Sequence, residues 1–301
     1  MNRKAIVVYV DNNAVNLEEF SWLYKTWILW SLHKEYDIVA YINPKAIEIL
    51  YSYVEDHVNL IIRPLTPIYE TDPFWENYKF ANSFFMFNDE SEKDYILERY
   101  SYILKTDCDV FLTQHLLGLE PERVMIGMGG YMNNFDEIKS NLKRISNKLN
   151  AKDRGFNHIG ASIFGDSSIV VNIVRNHFSV TKYILSTEWA NGPGAWPGWT
   201  RGVSSMYAIH IVVNHILNKN IVNLYSLDTI CFNNKIDTNT YHVHAWHSTT
   251  DFSKHKWFKG GYIDVKKEFD EIPKIAKDYC LCVASNTIED LLKMNYTLAK
   301  D

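Results

Sequence analysis

Strand-like and helical periods alternate through the first 65 residues, and few folds accept that order. "AIVVYV" (5–10) is an apolar, β-branched run of the kind that forms a strand buried on both faces. Residues 16–36 then place Phe20, Leu23, Tyr24, Trp27, Ile28 and Leu32 at helical spacing. "DIVAYI" (37–42) returns to strand, and Pro44 opens a second helix running to about Tyr53, because proline's missing N–H is not needed in a first turn. "NLIIRPL" (59–65) is a third strand. Strands joined through helices lie parallel, with right-handed crossovers. Helical stretches at about 74–87 and 90–101 lead into a fourth strand-like run, "YILKTDCDVFLT" (102–113). The expectation is an α/β, Rossmann-like fold with a mostly parallel central sheet flanked by helices. Apolar material suffices to cover both faces of such a sheet, since 47% of the 301 residues are hydrophobic.

The fourth run places Asp107 and Asp109 where an unpaired charge is costly. Residues two apart on an extended backbone project the same way, so the pair presents its oxygens to one object. It does so at the carboxyl end of a strand, the edge where open α/β sheets bind ligands. That object is read as a divalent cation, Mn²⁺ or Mg²⁺, which hard carboxylate oxygens suit.

The second half is less regular. "ERVMIGMGGYM" (122–132) reads as a strand ending in a glycine turn; helices are expected over 134–149, 166–186 and 204–218, and a last one near 285–296. Gly127, Gly129 and Gly130 lack the strand-turn-helix placement and downstream acid of a dinucleotide loop. Trp189, Trp196 and Trp199 crowd a Gly/Pro-rich loop, where indole faces either pack or stack against sugar rings of an acceptor. In "YHVHAWHS", His242, His244 and His247 have a spacing that also fits a zinc site.

A net charge of −5 without a basic block argues against a nucleic-acid partner. The six-residue apolar run before Asp11 is too short for a signal-peptide core, and no later stretch has membrane-span length. Cys108, Cys231, Cys280 and Cys282 show no disulfide or zinc framework, which fits a reducing compartment. A cytoplasmic protein is expected.

Taken in order, "LKTDCDVFLT", "GPGAWPGWTRGVSSMYA", "LDT" and "HVHAWHSTTDFSKHKWFKGGY" resemble GT-A fold nucleotide-sugar glycosyltransferases, in particular the glycosyltransferase-like proteins of large DNA viruses and algae. The resemblance spans about residues 5–262. It implies one GT-A-like domain over 1–301, with a nucleotide-binding half (1–115) ending in an Asp-x-Asp motif and an irregular acceptor-binding half (116–301). It implies a metal held by Asp107, Asp109 and a late histidine, His244 ahead of His247, with Asp107 also within reach of the ribose. Tyr9, Val10, Asp11 and Asn12, after the first strand, would meet the nucleotide base. Position along the chain adds Lys79 near the diphosphate, and the resemblance adds Lys254. Asp228 is the implied general base for the acceptor hydroxyl, with Glu188 in reserve.

The implied reaction is metal-dependent transfer of a sugar from a nucleotide-sugar, a UDP-sugar by preference, to a carbohydrate hydroxyl of a glycan or glycoprotein, with inversion. Three positions depart from the family pattern: Trp199 replaces a tyrosine, Ser204 a glycine, and Leu227 stands where a second acid is usual. Two rival readings are a hydrolase whose metal sits on the three histidines, and a non-catalytic carbohydrate-binding protein on a degenerate transferase scaffold.

Overall fold

The strands follow in chain order as β1 (Lys4–Val10), β2 (Tyr36–Ile42), β3 (Leu60–Pro64), β4 (Tyr102–Lys105), β5 (Val110–Leu112), β6 (Val124–Met128), β7 (Ile159–Asp166), β8 (Val222–Leu227), β9 (Thr229–Ile230) and β10 (His242–His244). Seven of them form one sheet in the order β3-β2-β1-β4-β7-β6-β8, and β5-β10-β9 form a second, small sheet. The computed structural model describes residues 3–132, 136–245, 251–262 and 269–298. In the large sheet every pairing is parallel except those of β7, which runs antiparallel to both β4 and β6. The expected mostly parallel α/β architecture is therefore what the chain adopts.

Alternation along β1 shows how the sheet is covered. Ala5, Val7 and Tyr9 join the core that contains Val170, Ile173 and Val174 of the helix Ser167–Thr187 and Ile209, Val212 and Val213 of the helix Ser204–Ile216. Ile6, Val8 and Val10 face the other way, against Leu17, Phe20, Leu23 and Trp27 of the helix Ala14–Leu29. That helix starts where Asn13 accepts the Asn16 N–H, and ends before Ser31, which adopts a left-handed backbone (φ 55°).

One expectation needs correction, and two elements went unread. The helix read over 74–87 is a series of short helical segments, Pro73–Trp75, Lys79–Ala81, Asn82–Phe85 and Met86–Asn88, because Tyr78 leaves the helical region (φ −145°, ψ 64°) and the buried rings of Trp75, Phe84 and Phe87 fill the core instead. The last helix, expected near 285–296, is Ile288–Leu298; the helix before it, Ala276–Ser285, which ends where Asn286 is extended, was not read from the sequence. Strand β7 was hidden by Gly160, Ser162 and Gly165, which dilute the β-rich signal.

The fourth run does not continue as a single strand. It leaves the large sheet after Lys105 and enters the small one at Val110, so the acids lie in the connection. The stretch 224–232 does the same: β8 and β9 belong to different sheets, with Asp228 between them at φ 61°. Among the described residues no helix is long and apolar enough to cross a membrane.

Candidate active site at the seam between the sheets

The two sheet-changing connections meet. Asp107, Asp109 and His244 each offer one ligand atom, all within 4.8 Å of one another. Asp109 is buried, with Oδ1 3.1 Å from His244 Nε2 and Oδ2 2.5 Å from Lys254 Nζ. Burial alone would raise the Asp109 pKa, but Lys254 and His244 outweigh it and hold the carboxylate well below its ordinary range. Lys254 opens the short helix Lys254–Phe258 and also pairs with Glu19 Oε1 at 3.3 Å, from the helix Ala14–Leu29. Burial and the Asp109 charge push the Glu19 carboxyl up to about 7, against the pull of Lys254. Asp107 is one-third exposed and sits 3.4 Å from Lys105 Nζ, whose side chain is buried.

Beneath these residues lies Asp228, 1% exposed. Its Oδ1 lies 3.0 Å from His244 Nδ1 and 2.9 Å from His242 Nε2, and it accepts the Ser162 hydroxyl at 2.6 Å; Oδ2 accepts the Ser162 N–H at 3.2 Å. Burial pulls the His244 pKa down, yet the carboxylates of Asp109 and Asp228 more than offset it and hold the ring well above the ordinary imidazole range. The two histidines have different surroundings: His242 is fully buried, whereas His244 lines an open cavity of about 790 Å³.

The cavity spreads from the carboxyl ends of β1 and β4. On one side Tyr9 and Asp11 line it. Asp11 Oδ1 accepts the Asn12 N–H (2.8 Å), Asn43 Nδ2 (2.9 Å) and the Tyr9 hydroxyl (3.2 Å), fixing the loop after β1. On the other side Phe80 and Trp196, 66% and 54% exposed, line it with Met128 and Met206. Lys79 also lines it, its ammonium 4.8 Å from the Tyr69 ring centroid.

A family model described as a domain of unknown function, DUF7164, matches residues 1–296. The chain belongs to the DUF7164 family. No curated protein sequence matches this DUF7164 chain. Among solved structures it is similar to the apo form of the bifunctional glycosyltransferase WbbM, with 11% identity over 97% of this chain and 52% of that one, and a TM-score of 0.48. It is also similar to the galactosyltransferase LgtC in complex with donor and acceptor sugar analogues, with 9% identity over 87% of this chain and 94% of that one, and a TM-score of 0.48. The chain spans about half the length of WbbM.

Of the residues singled out in the sequence, the DUF7164 structure brings Tyr9, Asp11, Lys79, Asp107, Asp109, Trp196, Asp228, His244 and Lys254 to one cavity. Others lie elsewhere. The Val10 side chain is buried in the core under the helix Ala14–Leu29, and Asn12 is exposed outside the cavity lining. Glu188 is paired with Arg144, away from the cavity. Trp189 stacks on Trp199 (5.4 Å between centroids), which stacks on Tyr207 (4.0 Å), so both pack the loop against the helix Ser204–Ile216. His247 lies outside the described residues.

Sequence reasoning passed over Glu19, Lys105, Ser162 and His177, all of which sit at the cavity or directly beneath it. Lys105 stood next to the acidic motif and was the one with a visible signal: a lysine in a strand otherwise buried.

His177 gives a prediction about pH. Its ring stacks on Phe84 at 4.1 Å and its Nε2–H donates to the Ser205 carbonyl at 2.8 Å. Burial, with Lys105 adding to it, pushes its pKa from 6.5 down to about 3. Between those values the unfolded chain binds a proton that the native chain does not, so the native state loses stability as pH falls through that window. His177→Phe keeps a stacking ring without the proton and should flatten this part of the stability-versus-pH curve, measured by urea unfolding. An unchanged slope would show that the ring titrates normally.

Proposed function

We propose that this protein is a metal-dependent glycosyltransferase that moves a sugar from a nucleotide-sugar, a UDP-sugar by preference, to a carbohydrate hydroxyl. The observation that supports it best is the convergence of Asp107, Asp109 and His244 at the carboxyl end of β4, on the floor of a cavity large enough for a nucleotide-sugar. Two carboxylates and one imidazole make an oxygen-rich donor set, which suits Mn²⁺ or Mg²⁺ better than a three-histidine zinc site would. Bound there, such a cation neutralises the charge of a leaving diphosphate.

The protein's own groups divide the remaining work. Lys254 adds a positive charge beside Asp109 for the phosphates, with Lys79 at the rim. Tyr9 and the Asp11 loop, held by Asn43, meet the base and ribose. Trp196 and Phe80 offer exposed ring faces on the opposite side, where an acceptor sugar stacks. The base role is not carried forward for Asp228, whose oxygens are buried and taken by Ser162, His242 and His244, nor for Glu188, which Arg144 holds away from the cavity. Transfer is proposed without assigning the acceptor's proton.

The test is a thermal-shift screen of nucleotide-sugars with Mn²⁺ or with EDTA, followed by turnover with oligosaccharide acceptors for the wild type and Trp196→Ala. Binding to the native state alone raises the melting temperature by mass action. The reading requires a metal-dependent shift with at least one nucleotide-sugar, and an acceptor KM in Trp196→Ala raised more than donor affinity is weakened. Shifts that are absent or equal in EDTA would overturn it.

A further inference from the structure

Asp228 is a buried carboxylate with an unusual number of structural concessions made to it. Its backbone sits in the left-handed region at φ 61°, which few residue types other than glycine, asparagine and aspartate accept readily. One glycine clears its space: a Cβ on Gly127 would lie 1.7 Å from Asp228 Oδ2, with Asp228 atoms as its three nearest neighbours, whereas one on Gly160 would meet the backbone of Gly127 and Met128 as closely as it meets Asp228. A strand-changing turn needs neither a charge nor such clearance.

The hydrogen bonds explain where the charge is directed. The Ser162 hydroxyl donates to Asp228 Oδ1, so the Thr106 hydroxyl, 2.8 Å from Ser162 Oγ, donates to Ser162 in turn. Asp228 Oδ1 then meets His244 Nδ1 at 3.0 Å, and His244 Nε2 meets Asp109 Oδ1 at 3.1 Å. The path leaves the backbone at Thr106 and returns three residues later at Asp109, and all five side chains are buried. An imidazole has two ring nitrogens, and a carboxylate on one fixes which way the other points and keeps the proton on its own side.

We propose that Asp228 is a positioning residue: through Nδ1 it orients His244 so that Nε2 faces the metal position shared with Asp107 and Asp109, and Gly127 is there to admit its carboxylate. This rests on the metal site proposed above. Ser162 and Thr106 hold the carboxylate from the other side. His242, on the same strand face but with no access to the cavity, accepts the Asp228 backbone N–H through Nε2 at 3.1 Å and so holds the turn, not the ligand.

The experiment is direct Mn²⁺ titration of the full chain by calorimetry, for the wild type, Asp228→Asn and Gly127→Ala, with histidine ¹⁵N NMR of the wild type in the presence of Mg²⁺. Asparagine accepts the left-handed backbone and nearly the same volume, so the fold is kept. Gly127→Ala leaves every ligand and Asp228 itself in place while forcing the carboxylate to move, and it keeps the test alive should Asp228→Asn fold poorly. The expected result is a loss of about 10–100-fold in Mn²⁺ affinity in both variants, with a wild-type His244 spectrum showing the proton on Nδ1. Wild-type binding of Mn²⁺ with equal affinity in the folded variants, or a His244 that carries its proton on Nε2 with Mg²⁺ bound, would overturn the positioning role alone and show Asp228 to be a structural part of the turn. No Mn²⁺ binding by the wild type would overturn the metal site, and this role with it.

Discussion

Asp109→Ala is expected to abolish Mn²⁺-dependent UDP binding and to destabilise the protein at the same time. Asp109 supplies one of three ligand atoms and is also the carboxylate on which His244 and Lys254 converge. Removing one partner of a buried ion pair leaves uncompensated charge and costs about 3–5 kcal/mol. Lys254 keeps Glu19 and His244 keeps Asp228, so the cost falls towards the lower end of that range. The affinity loss should exceed the about 100-fold ceiling of an outer-shell change. Asp107→Ala separates the two effects: its carboxylate is one-third exposed and its one ion pair among the described residues, to Lys105, is long at 3.4 Å. It should lose UDP binding with little change in melting temperature. Calorimetry and thermal melts of the two variants check this, and a UDP affinity in either variant equal to that of the wild type in Mn²⁺ would overturn the ligand assignment.

The second large effect is expected at Trp22, far from any ligand atom in the sequence. Its fully buried indole, on the helix Ala14–Leu29, stacks on Phe111 of β5 (5.2 Å) and on Phe258 (5.8 Å), with Phe252 and Trp257 edge-on. This cluster seats the small sheet and the helix Lys254–Phe258 against the helix Ala14–Leu29. Trp22→Ala should cost about 3–5 kcal/mol in urea unfolding, and weaken UDP binding by releasing Lys254 from Asp109. Trp22→Phe should lose much less of both, because the indole N–H has no partner among the described residues to forfeit. A Trp22→Ala protein as stable as the wild type would mean that the cluster closes without it.

The parts of this fold that the sequence made legible are those where one physical signal dominates. β1, β2 and β3 are continuous apolar runs, and the helices Ala14–Leu29, Ser167–Thr187 and Ser204–Ile216 carry a clear helical period. The acidic pair was visible because Asp107 and Asp109 interrupt such a run. What stayed hidden depends on contacts between distant segments. β7 looks weak because Gly160 lies too close to the backbone of Gly127 and Met128 and to Asp228, 68 positions further on, to carry a side chain, and Gly165 packs against Val124. Asp228 itself read as the general base that the resemblance implies, and only the fold shows it buried beneath His244 with its carboxylate against Ser162 and Gly127. The tryptophans of the 189–202 loop look alike in sequence, yet Trp196 alone lines the cavity while Trp189 and Trp199 pack with Tyr207.

Strand β10 is three residues long, and pairs His242 with Leu112, Val243 with Phe111 and His244 with Val110. Because neighbouring strand residues face opposite ways, a slip of one position would turn His244 into the hydrophobic layer and bring Val243 towards the acids. The alignment of the site is thus set by a ladder of three rungs, and length changes are not equivalent along this part of the chain. An insertion in the exposed turn 237–239 can be absorbed before the ladder begins, whereas one in 232–236, which is bonded to 274–277, or between His242 and His244 cannot. Variation in length among chains of this family should therefore be confined to that turn and absent from the rungs.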